Sequence, residues 1–440
     1  MNPLVNQPMS PRGLIVAAPA SGSGKTVLTL GCLRALMKRG VAGAKAGPDY
    51  IDPAFHAAAC GKPCFNLDPW AMRSETVAAL IAGANAEIIL CEGVMGLFDG
   101  GYGCSTADLA AMTGWPVVLV VDVRGQGAST AALIQGFAHH RHDVSVAGVI
   151  FNRVASAPHE AAIKDAMARR CPEIPLLGFI PRDQNLATPE RHLGLVQARE
   201  IAGLEALLDH ASAVVSACVD LEKLLSLAMP ARLNPGNARH APLRALGQKM
   251  AIARDDAFAF CYEATIAGWR QQGAEISFFS PLAGECPDSS CDAIYLPGGY
   301  PELHAGTIAQ SPALPGLHEA AGRGAAIYGE CGGYMVLGVG LEDASGNRHE
   351  MAGLLPLETS FARRKLHLGY REIETARESP LGAAGARFRG HEFHYATTLS
   401  EGPGTPLFRC RDLSGAQIAP AGIIAGRVLG SFVHLVDRAL

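Results

Sequence analysis

The sequence predicts an α/β protein with two domains, the first of them a doubly wound parallel sheet. The 440-residue chain is longer than one hydrophobic core usually supports. Short apolar runs alternate with helical periodicity from residue 13 to about residue 225, and a second α/β series begins near residue 248. These observations place the first domain at residues 1–227, a linker at residues 228–247 and the second domain at residues 248–440.

Six apolar runs predict the strands of the first domain. In chain order they are GLIVAA, VAGAKA, EIILCEG, WPVVLVVD, VAGVIFN and PLLGFIP. Helical periodicity between them, as over residues 27–38 and 128–140, predicts helices. Because strands that alternate with helices build βαβ units, we expect a parallel sheet.

The linker and the second domain follow from a change of composition. Residues 228–247, AMPARLNPGNARHAPLRALG, are rich in Pro, Asn and Arg and lack apolar periodicity. After them, MAIARD, EISFF, CDAIYLP and GAAIYGE predict strands, and residues 258–272 predict a helix. Beyond residue 350 the pattern becomes a series of strand-like runs with hairpin-like breaks. A second α/β domain is therefore expected.

Composition and charge exclude several classes of function. A net charge of −4 leaves no basic footprint for nucleic acid, and no apolar segment reaches the roughly 20 residues that span a bilayer. The run GLIVAAPA lacks a charged start, so it predicts a strand and not a signal peptide. The twelve cysteines show no metal or disulfide spacing. We therefore expect a cytoplasmic protein with mostly buried, reduced thiols.

The first predicted site is a phosphate loop, APASGSGKT, between a predicted strand and a predicted helix. Its glycines let backbone N–H groups close around phosphate oxygens, Lys25 can reach the β- and γ-phosphates, and the Thr26 hydroxyl can bind Mg²⁺. The usual first glycine of GxxxxGK[ST] falls at Pro19, so the loop is a variant. The predicted ATP-binding residues of the loop are Ser21, Gly22, Ser23, Gly24, Lys25 and Thr26.

Two acidic turns follow other predicted strands. KAGPDYIDP contains Lys45 and Asp49, and CEGVMGLFDG contains Glu92. Loops after parallel strands gather at one edge of the sheet, so Asp49 and Glu92 are expected to join Thr26 around Mg²⁺. Lys45 would add a cation for the phosphates of ATP. An Asp in a Gly/Pro turn is often only a turn former, but two such turns at one edge favour a functional role.

The second predicted site is the cysteine of AIYGECGGYMVL, residues 326–337. An apolar strand-like run before Cys331 and a helical run after it predict a sharp turn that exposes the thiol at a helix N-terminus. The helix dipole is expected to lower the pKa of this thiol. The paired glycines of LPGGYPE can supply N–H groups to an oxyanion. The predicted oxyanion and glutamine-site residues are Gly298, Gly299 and Gly332.

A nucleophilic cysteine also needs a base. His434 ends the last apolar run, in GSFVH, and His391 and His394 of GHEFHY compete with it. The spacing of these residues does not choose among the three histidines.

Seven motifs together resemble one known family, and they occur in that family's order. They are GPDYIDPAFH, CEGVMGLFDG, FFSPL, LPGGYPELHA, GECGGYMVLG, GHEFHY and GSFVH. Over residues 13–437 the chain resembles the cobyrinic acid and hydrogenobyrinic acid a,c-diamide synthases of cobalamin biosynthesis. The resemblance implies a dethiobiotin-synthetase-like ATP domain followed by a class I type glutamine amidotransferase domain. It also implies that Cys331 is the nucleophile, that His434 is its base, and that Asn152 and Arg153 contact the adenine of ATP.

The implied reaction is the amidation of the a and c acetate side chains of a corrin, with ATP and glutamine as co-substrates and Mg²⁺ as cofactor. Tyr50, Ile51 and Asp99 lie in motifs expected to face the ring. Most class I enzymes carry a Glu two residues after the catalytic His, but this chain has Val436 there, and we assign no role to Asp437. The expected partner is therefore the small-molecule corrin, without nucleic acid or membrane, and a homodimer is one option for the assembly.

Several alternatives stay open at this point. The ring could be metal-free, which the motifs favour, or it could carry cobalt, and a nickel-tetrapyrrole diamide synthase has a similar architecture. A partition-type switch ATPase shares the phosphate loop, although its second lysine is replaced here by Ala20. A catalytically silent, scaffolding amidotransferase-like domain is the last alternative.

The two predicted sites can be separated by mutation. Cys331→Ser is expected to abolish glutamine-dependent amidation but to spare amidation with added ammonia, because only the glutamine half needs the thiol. Lys25→Ala is expected to abolish both reactions, since both need the activated carboxylate. Amide formation with each nitrogen donor, counted by mass spectrometry, checks the prediction. Loss of the ammonia-driven reaction in a folded Cys331→Ser variant would contradict the scheme.

Overall fold

The computed structural model describes residues 11–186, 203–234 and 241–439. They form two compact units. The first contains the described residues up to Trp70 and from Ser74 to residue 234, and the second contains Ala71–Arg73 and the described residues from 241 onwards. Part of the predicted linker, residues 235–240, lies outside the described residues.

The first unit is an α/β unit that alternates strands and helices. Its strands are β1 (Arg12–Ala17), β2 (Val41–Ala46), β3 (Phe65–Leu67), β4 (Ile88–Glu92), β5 (Val117–Asp122), β6 (Val146–Val154), β7 (Leu176–Pro181) and β8 (Met229–Pro230). Its helices are α1 (Lys25–Ala35), α2 (Asp52–Cys60), α3 (Ser74–Ala82), α4 (Thr106–Thr113), α5 (Ser129–His139), α6 (Ala157–Arg170), α7 (Leu204–Cys218) and α8 (Leu221–Ser226).

The strands of this unit form one sheet in the order β3-β2-β4-β1-β5-β6-β7. All neighbours in this order are parallel, and only the short β8 pairs antiparallel, with β1. Every residue of β2 and β4 is buried, which explains their continuous apolar runs. The predicted doubly wound sheet is confirmed, and the loops after β1, β2 and β4 meet at its carboxyl edge.

The second unit combines a parallel half with an antiparallel half. Its helices are α9 (Glu263–Gln271), α10 (Ala305–Ala309), α11 (Ala313–Gly322) and α12 (Gly332–Leu337). Its strands are β9 (Lys249–Ala253), β10 (Glu275–Phe279), β11 (Ala293–Leu296), β12 (Ala326–Glu330), β13 (Gly340–Glu342), β14 (Arg348–Glu350), β15 (Leu357–Ser360), β16 (His367–Thr375), β17 (Arg387–His394), β18 (Thr397–Glu401), β19 (Thr405–Arg411), β20 (Gln417–Ala425), β21 (Val428–Ser431) and β22 (Val433–Arg438).

Ten of these strands form one sheet in the order β10-β9-β11-β12-β21-β20-β19-β16-β17-β22. Strands β9 to β12 and β21 are parallel, and the remaining pairs are antiparallel. β21 lies beside the parallel half and β22 lies at the far end of the strand order, yet Phe432 alone separates them in the chain. The last strand of the antiparallel half therefore begins beside β21. Strands β13, β14, β15 and β18 form a separate small sheet.

One predicted element differs from the structure at its start. The helix predicted over residues 258–272 begins only at Glu263, because Tyr262 before it is extended, with φ −72° and ψ 125°. The residues before it serve a different purpose, since the N–H of Phe260 donates to the carbonyl of Gly298 at 2.8 Å.

No helix among the residues that the structure describes is both long enough and apolar enough to cross a membrane.

Helix α4 illustrates how the sequence sets an element boundary. Ser105 is its N-cap, and the Ser105 hydroxyl accepts from the N–H of Asp108 at 3.1 Å. The Asp108 carboxylate accepts in return from the N–H of Ser105 at 2.9 Å, which completes a capping box. Gly114 then ends the helix in the left-handed conformation, with φ 69°.

Ser105→Ala is expected to lower the free energy of unfolding by about 1 kcal/mol, since the cap of α4 is lost. The urea midpoint of the first unit's unfolding transition measures the change. Ser129→Ala is the matched control, because Ser129 also begins a helix but makes no side-chain cap there. Equal effects of the two substitutions would contradict the role of the cap.

Candidate active site

The phosphate loop connects β1 to α1 and is held by the residues that end β6. Gly24, with φ 90°, is the N-cap of α1, and a Cβ atom there would lie 2.3 Å from Nδ2 of Asn152. Asn152 donates from Nδ2 to the carbonyl of Ser23 at 2.9 Å, and Arg153 donates from Nη1 to the carbonyl of Gly22 at 2.8 Å. The structure thus brings the predicted loop residues together with Asn152 and Arg153.

A cavity of about 420 Å³ opens beside this loop. Polar groups line one side of it and apolar side chains of β7 and α7 line the other, which suits a base and its sugar phosphate. Arg153 has φ 62° and donates to Oδ2 of Asp122 at 2.5 Å. The lining includes Gly24, Thr26, Asn152, Arg153, Pro181 and Val215.

Lys25 of the phosphate loop points its amine into the protein. The side chain is buried, and Nζ donates to the carbonyl of Met95, in the loop after β4, at 2.6 Å. Burial lowers the pKa of Lys25, and the charge of Glu92 opposes this shift. Ser21 remains exposed at the turn of the loop.

A buried cluster of charges lies next to α1 and is centred on Glu92. The hydroxyl of Thr26 donates to Oε1 of Glu92 at 2.6 Å, and Nζ of Lys45 donates to the same oxygen at 3.0 Å. The other oxygen, Oε2, lies 2.6 Å from Nε2 of His56. Burial alone would raise the pKa of Glu92, but Lys45, His56 and Thr26 outweigh it and hold the pKa well below its ordinary value.

Asp52 and Lys45 form a close pair in this cluster. Nζ of Lys45 lies 2.5 Å from Oδ2 of Asp52. Burial, followed by the charges of Glu92 and Asp49, raises the pKa of Asp52 to about 7, against the opposing effect of Lys45. Burial also lowers the pKa of Lys45, but Glu92 and Asp52 outweigh it and raise this pKa above its ordinary value.

Asp49 is a turn former that also lies beside the charged cluster. Its Oδ1 accepts from the N–H groups of Ile51 and Asp52 at 2.8 and 2.9 Å, as in a turn former. Its Oδ2 lies 3.9 Å from Nζ of Lys45, beside the cluster. Thr26 contacts Glu92 directly, and Lys45 lies between Glu92 and Asp49, so the three predicted residues lie close together.

The residues predicted to face the substrate lie in the loops after β2 and β4, which are neighbouring strands. Ile51 is buried and precedes α2, and Tyr50 is half-buried beside it. Oδ2 of Asp99 accepts from the N–H of Gly96 at 3.0 Å. These positions share the carboxyl edge with the charged cluster.

Cys331 occupies the turn between β12 and α12 with φ 47° and ψ −105°. Positive φ is rare for a residue with a side chain, and such strain is typical of a nucleophile held at a strand-to-helix turn. Its N–H donates to the carbonyl of Ser431 at 2.8 Å, which anchors the turn to β21. The predicted sharp turn is present, but the predicted exposure of the thiol is wrong, because Cys331 is buried in the second unit.

The glycines predicted for the oxyanion and glutamine site surround this cysteine. A Cβ atom on Gly298 would lie 3.2 Å from Cβ of Cys331 and 2.6 Å from Cε1 of His434. A Cβ atom on Gly332 would lie 3.0 Å from the backbone nitrogen of Gly299. The structure therefore brings together the five residues that the sequence predicts for the second site.

His434 lies on β22, fully buried, and its ring stacks on that of His391 at 4.9 Å between centroids. Burial, with His391 and His394 nearby, holds the pKa of His434 well below its ordinary value. The competing histidines have other partners, since His391 lies 2.8 Å from the hydroxyl of Tyr262 and His394 lies 2.9 Å from Glu392. Of the three, His434 is the one that contacts the Gly298 position beside Cys331.

The predicted lowering of the Cys331 pKa is wrong for the structure as it stands. Burial raises the pKa of this thiol, the charge of Glu302 raises it further, and the N–H of Gly332 lowers it. Burial dominates because the side chain is only 3% exposed, and because α12 is a helix of only six residues. Neutral imidazole and neutral thiol are thus the resting forms of the pair.

Comparison with known proteins identifies both units. A CobQ/CobB/MinD/ParA nucleotide binding domain model matches residues 14–196, and a CobB/CobQ-like glutamine amidotransferase domain model matches residues 249–438. A protein of Brucella ovis named hydrogenobyrinate a,c-diamide synthase is 54% identical over 97% of this chain and 98% of its own length. The chain belongs to the hydrogenobyrinate a,c-diamide synthase family.

Another relative of that name, from Rhizobium meliloti, is 54% identical over 97% of this chain and 99% of its own length. Membership of the hydrogenobyrinate a,c-diamide synthase family confirms the predicted enzyme class, an ATP- and glutamine-dependent amidating ligase. A partition-type ATPase would leave residues 249–438 without an explanation.

Sequence reasoning missed three side chains that the structure places at these sites, the half-buried Asp52 and the buried His56 and Glu330. Asp52 and His56 are within the GPDYIDPAFH motif, four residues apart on α2, so their spacing on one helix face was the available signal. Glu330 directly precedes Cys331, and its Oε2 lies 3.7 Å from Nδ1 of His434. Val436 supplies no carboxylate, and Asp437 is paired with Arg73 at 2.8 Å.

Gly298→Ala is expected to reduce glutamine-dependent amidation by on the order of 10²-fold, because the new methyl group would displace His434 and Cys331 from each other. Ammonia-dependent amidation should be retained. Steady-state rates with each nitrogen donor provide the measurement. Gly322→Ala is the matched control, since its Cβ would meet no atom within 4 Å. An unchanged glutamine rate in Gly298→Ala would refute the assigned geometry.

Proposed function

We propose that this chain amidates the a and c acetate carboxylates of the metal-free corrin hydrogenobyrinate, in the cytoplasm. The names of its relatives support this ring, since the proteins of Brucella ovis and Rhizobium meliloti are both named hydrogenobyrinate a,c-diamide synthase. The same chemistry applies to a ring that carries cobalt or nickel. The experiment below therefore compares the metal-free ring with these two rings.

The observation that carries the proposal is the contact of Thr26 with Glu92 at 2.6 Å, beside Lys45 at 3.0 Å. It joins the end of the phosphate loop to a buried anion and a buried cation at one edge of the sheet. Such an arrangement serves phosphoryl transfer, in which positioning and charge provide most of the catalysis.

In the ATP half, the backbone N–H groups of residues 21–26 bind the phosphates of ATP. Lys25 exchanges its contact with the Met95 carbonyl for the β- and γ-phosphates. The Thr26 hydroxyl with the Glu92 and Asp49 carboxylates is an all-oxygen donor set, which fits Mg²⁺. When bound, Mg²⁺ would neutralise charge on the phosphates.

The cavity beside the loop then accepts the adenosine, with Asn152 and Arg153 fixing its position relative to Gly22 and Gly24. Lys45 lies within the cluster as a second cation. It stabilises the negative charge that develops as the γ-phosphoryl group moves to the substrate carboxylate.

Tyr50, Ile51 and Asp99 hold the corrin so that one acetate carboxylate faces the γ-phosphate. Transfer of the phosphoryl group turns this carboxylate into an acyl phosphate and releases ADP. An acyl phosphate is a good electrophile, and ammonia displaces its phosphate to give the amide. The cycle is repeated on the second acetate.

In the glutamine half, His434 takes the thiol proton of Cys331 as the sulfur attacks the side-chain amide carbon of glutamine. The N–H groups of Gly299 and Gly332, near Cys331, stabilise the oxyanion that forms. The proton then goes to the leaving ammonia, and water hydrolyses the remaining thioester to glutamate.

Incubation of the protein with ATP, Mg²⁺, glutamine and one ring at a time tests the substrate. Hydrogenobyrinate should gain two amides, seen by mass spectrometry, and the cobalt and nickel rings should gain them far more slowly. Glu92→Gln should reduce amidation with glutamine and with ammonia alike, by on the order of 10²- to 10³-fold, because Thr26 and Lys45 lose their shared anion.

The rate of Cys331 labelling by a glutamine-like electrophile serves as the control, and Glu92→Gln should leave it unchanged. Faster amidation of a metal-containing ring would correct the choice of substrate. Formation of no amide on any of the three rings would overturn the proposed function.

A further inference from the structure

The second site has a histidine base but lacks a carboxylate at the position where most class I amidotransferases carry one. In a cysteine–histidine pair, a carboxylate on the far side of the imidazole holds the correct tautomer and stabilises the imidazolium that forms. Val436 cannot do this. A carboxylate from elsewhere in the fold can serve as well, because such constellations are defined by geometry and not by sequence position.

Glu330 is placed on that far side. Its Oε2 lies 3.7 Å from Nδ1 of His434, while Nε2 of the same ring lies 3.4 Å from the Cβ position of Gly298, beside Cys331. Nδ1 therefore lies beside the acid, and Nε2 lies near the Gly298 position that Cβ of Cys331 also borders, at 3.2 Å. Hydrogen bonds of catalytic groups are often long in the free enzyme and shorten in the substrate complex.

Three neutral donors fix the Glu330 carboxylate. The hydroxyl of Tyr295 donates to Oε2 at 2.7 Å, the hydroxyl of Tyr328 donates to Oε1 at 2.8 Å, and the N–H of Leu435 donates to Oε1 at 3.1 Å. The two tyrosines are neighbours on β11 and β12, with rings stacked at 5.8 Å. Leu435 follows His434 directly, so the same strand carries the imidazole and anchors the acid.

The other carboxylates around Cys331 are less suitable. The charge of Glu302 acts on Cys331 itself, whereas Glu330 is the carboxylate beside Nδ1 of His434. Glu392 accepts from Arg371 at 2.6 Å and is also bound to His394, and Asp437 is paired with Arg73. In the described part of the chain, no Lys or Arg lies within 4 Å of the Glu330 carboxylate, and the neutral ring of His434 lies beside it. A buried anion held only by neutral donors is well placed to stabilise an imidazolium.

We propose that Glu330 is the positioning residue of the amidotransferase site, which orients His434 and stabilises its imidazolium in place of the carboxylate missing at Val436. The proposal rests on the proposed function of Cys331 and His434. During thiol attack the proton passes from Sγ of Cys331 to Nε2 of His434, and from there to the departing ammonia. Glu330 accepts the hydrogen bond from Nδ1 and does not take the proton.

Glu330→Gln tests this assignment. The amide keeps the volume of the side chain but cannot carry the negative charge, so kcat for glutamine-dependent amidation should fall roughly 10²- to 10⁴-fold. The KM for glutamine and the ammonia-dependent rate should stay unchanged, because Glu330 acts through His434, which the ammonia-dependent reaction does not use. Glu401→Gln is the matched control, since Glu401 also accepts from a tyrosine hydroxyl, that of Tyr334 at 3.0 Å. It should retain wild-type kcat.

Tyr328→Phe provides a second measurement that keeps the carboxylate. Burial raises the pKa of Glu330 and its three donors oppose this shift, which leaves the pKa at about 7. The raised pKa means that the active carboxylate is present above pH 7 and lost below it, so glutaminase activity should fall as the pH drops through about 7. Loss of the Tyr328 hydroxyl should shift this acid limb to higher pH. The titratable groups that face Glu330 are Tyr295, Tyr328, Cys261, Cys331 and His434.

Three results would overturn the assignment. They are a glutamine-dependent kcat of folded Glu330→Gln within threefold of wild type, an equal loss of the ammonia-dependent reaction, and a pH profile of Tyr328→Phe that coincides with wild type. A purely structural role of Glu330 predicts the second and third. If the wild-type protein itself fails to amidate with ammonia, the proposed function is wrong, whereas the role of Glu330 fails only when wild type performs both reactions.

Discussion

Both sites depend on the burial of a carboxylate at the carboxyl end of a parallel strand. Glu92 ends β4 and Glu330 ends β12, and both are almost fully buried. Removing an anion from water costs several kcal/mol unless donors or cations replace the lost solvation. Around Glu92 the replacement includes the ammonium group of Lys45, which holds the pKa of Glu92 low and keeps the carboxylate ionised. Around Glu330 it is neutral, so ionisation responds to pH.

This difference matches the chemistry of the two loops. In the proposed mechanism the phosphate site handles an excess of negative charge, so it needs cations such as Lys25 and Lys45 throughout the reaction. The proposed role of the cysteine site is the transfer of a single proton, and a strong cation fixed beside the pair would keep His434 from accepting it. The positive φ of Cys331 adds strain of roughly 1 to 3 kcal/mol. The anchor to Ser431 and the close approach of Gly298 allow the fold to maintain it.

Much of this arrangement was predictable from the sequence, because parallel strands buried on both faces leave continuous apolar runs. The loops after those runs predicted that Thr26, Asp49 and Glu92 lie near one another, as they do. The turn at Cys331 was predicted from a strand-like run, two glycines and a helical run. Strands β3 and β8 were missed because three and two residues are too short to show a pattern.

The rest required contacts between elements distant in sequence. The predicted pKa of Cys331 was wrong because a helix terminus is visible in the sequence and burial is not. Glu330 has no visible connection to His434 until β21 continues into β22 and returns that histidine to the end of β12. The buried position of Cys331 also affects how readily this thiol is oxidised. Oxidants attack thiolates far faster than thiols, so a buried, protonated Cys331 resists peroxide between turnovers, while Cys286 is the exposed thiol among the twelve.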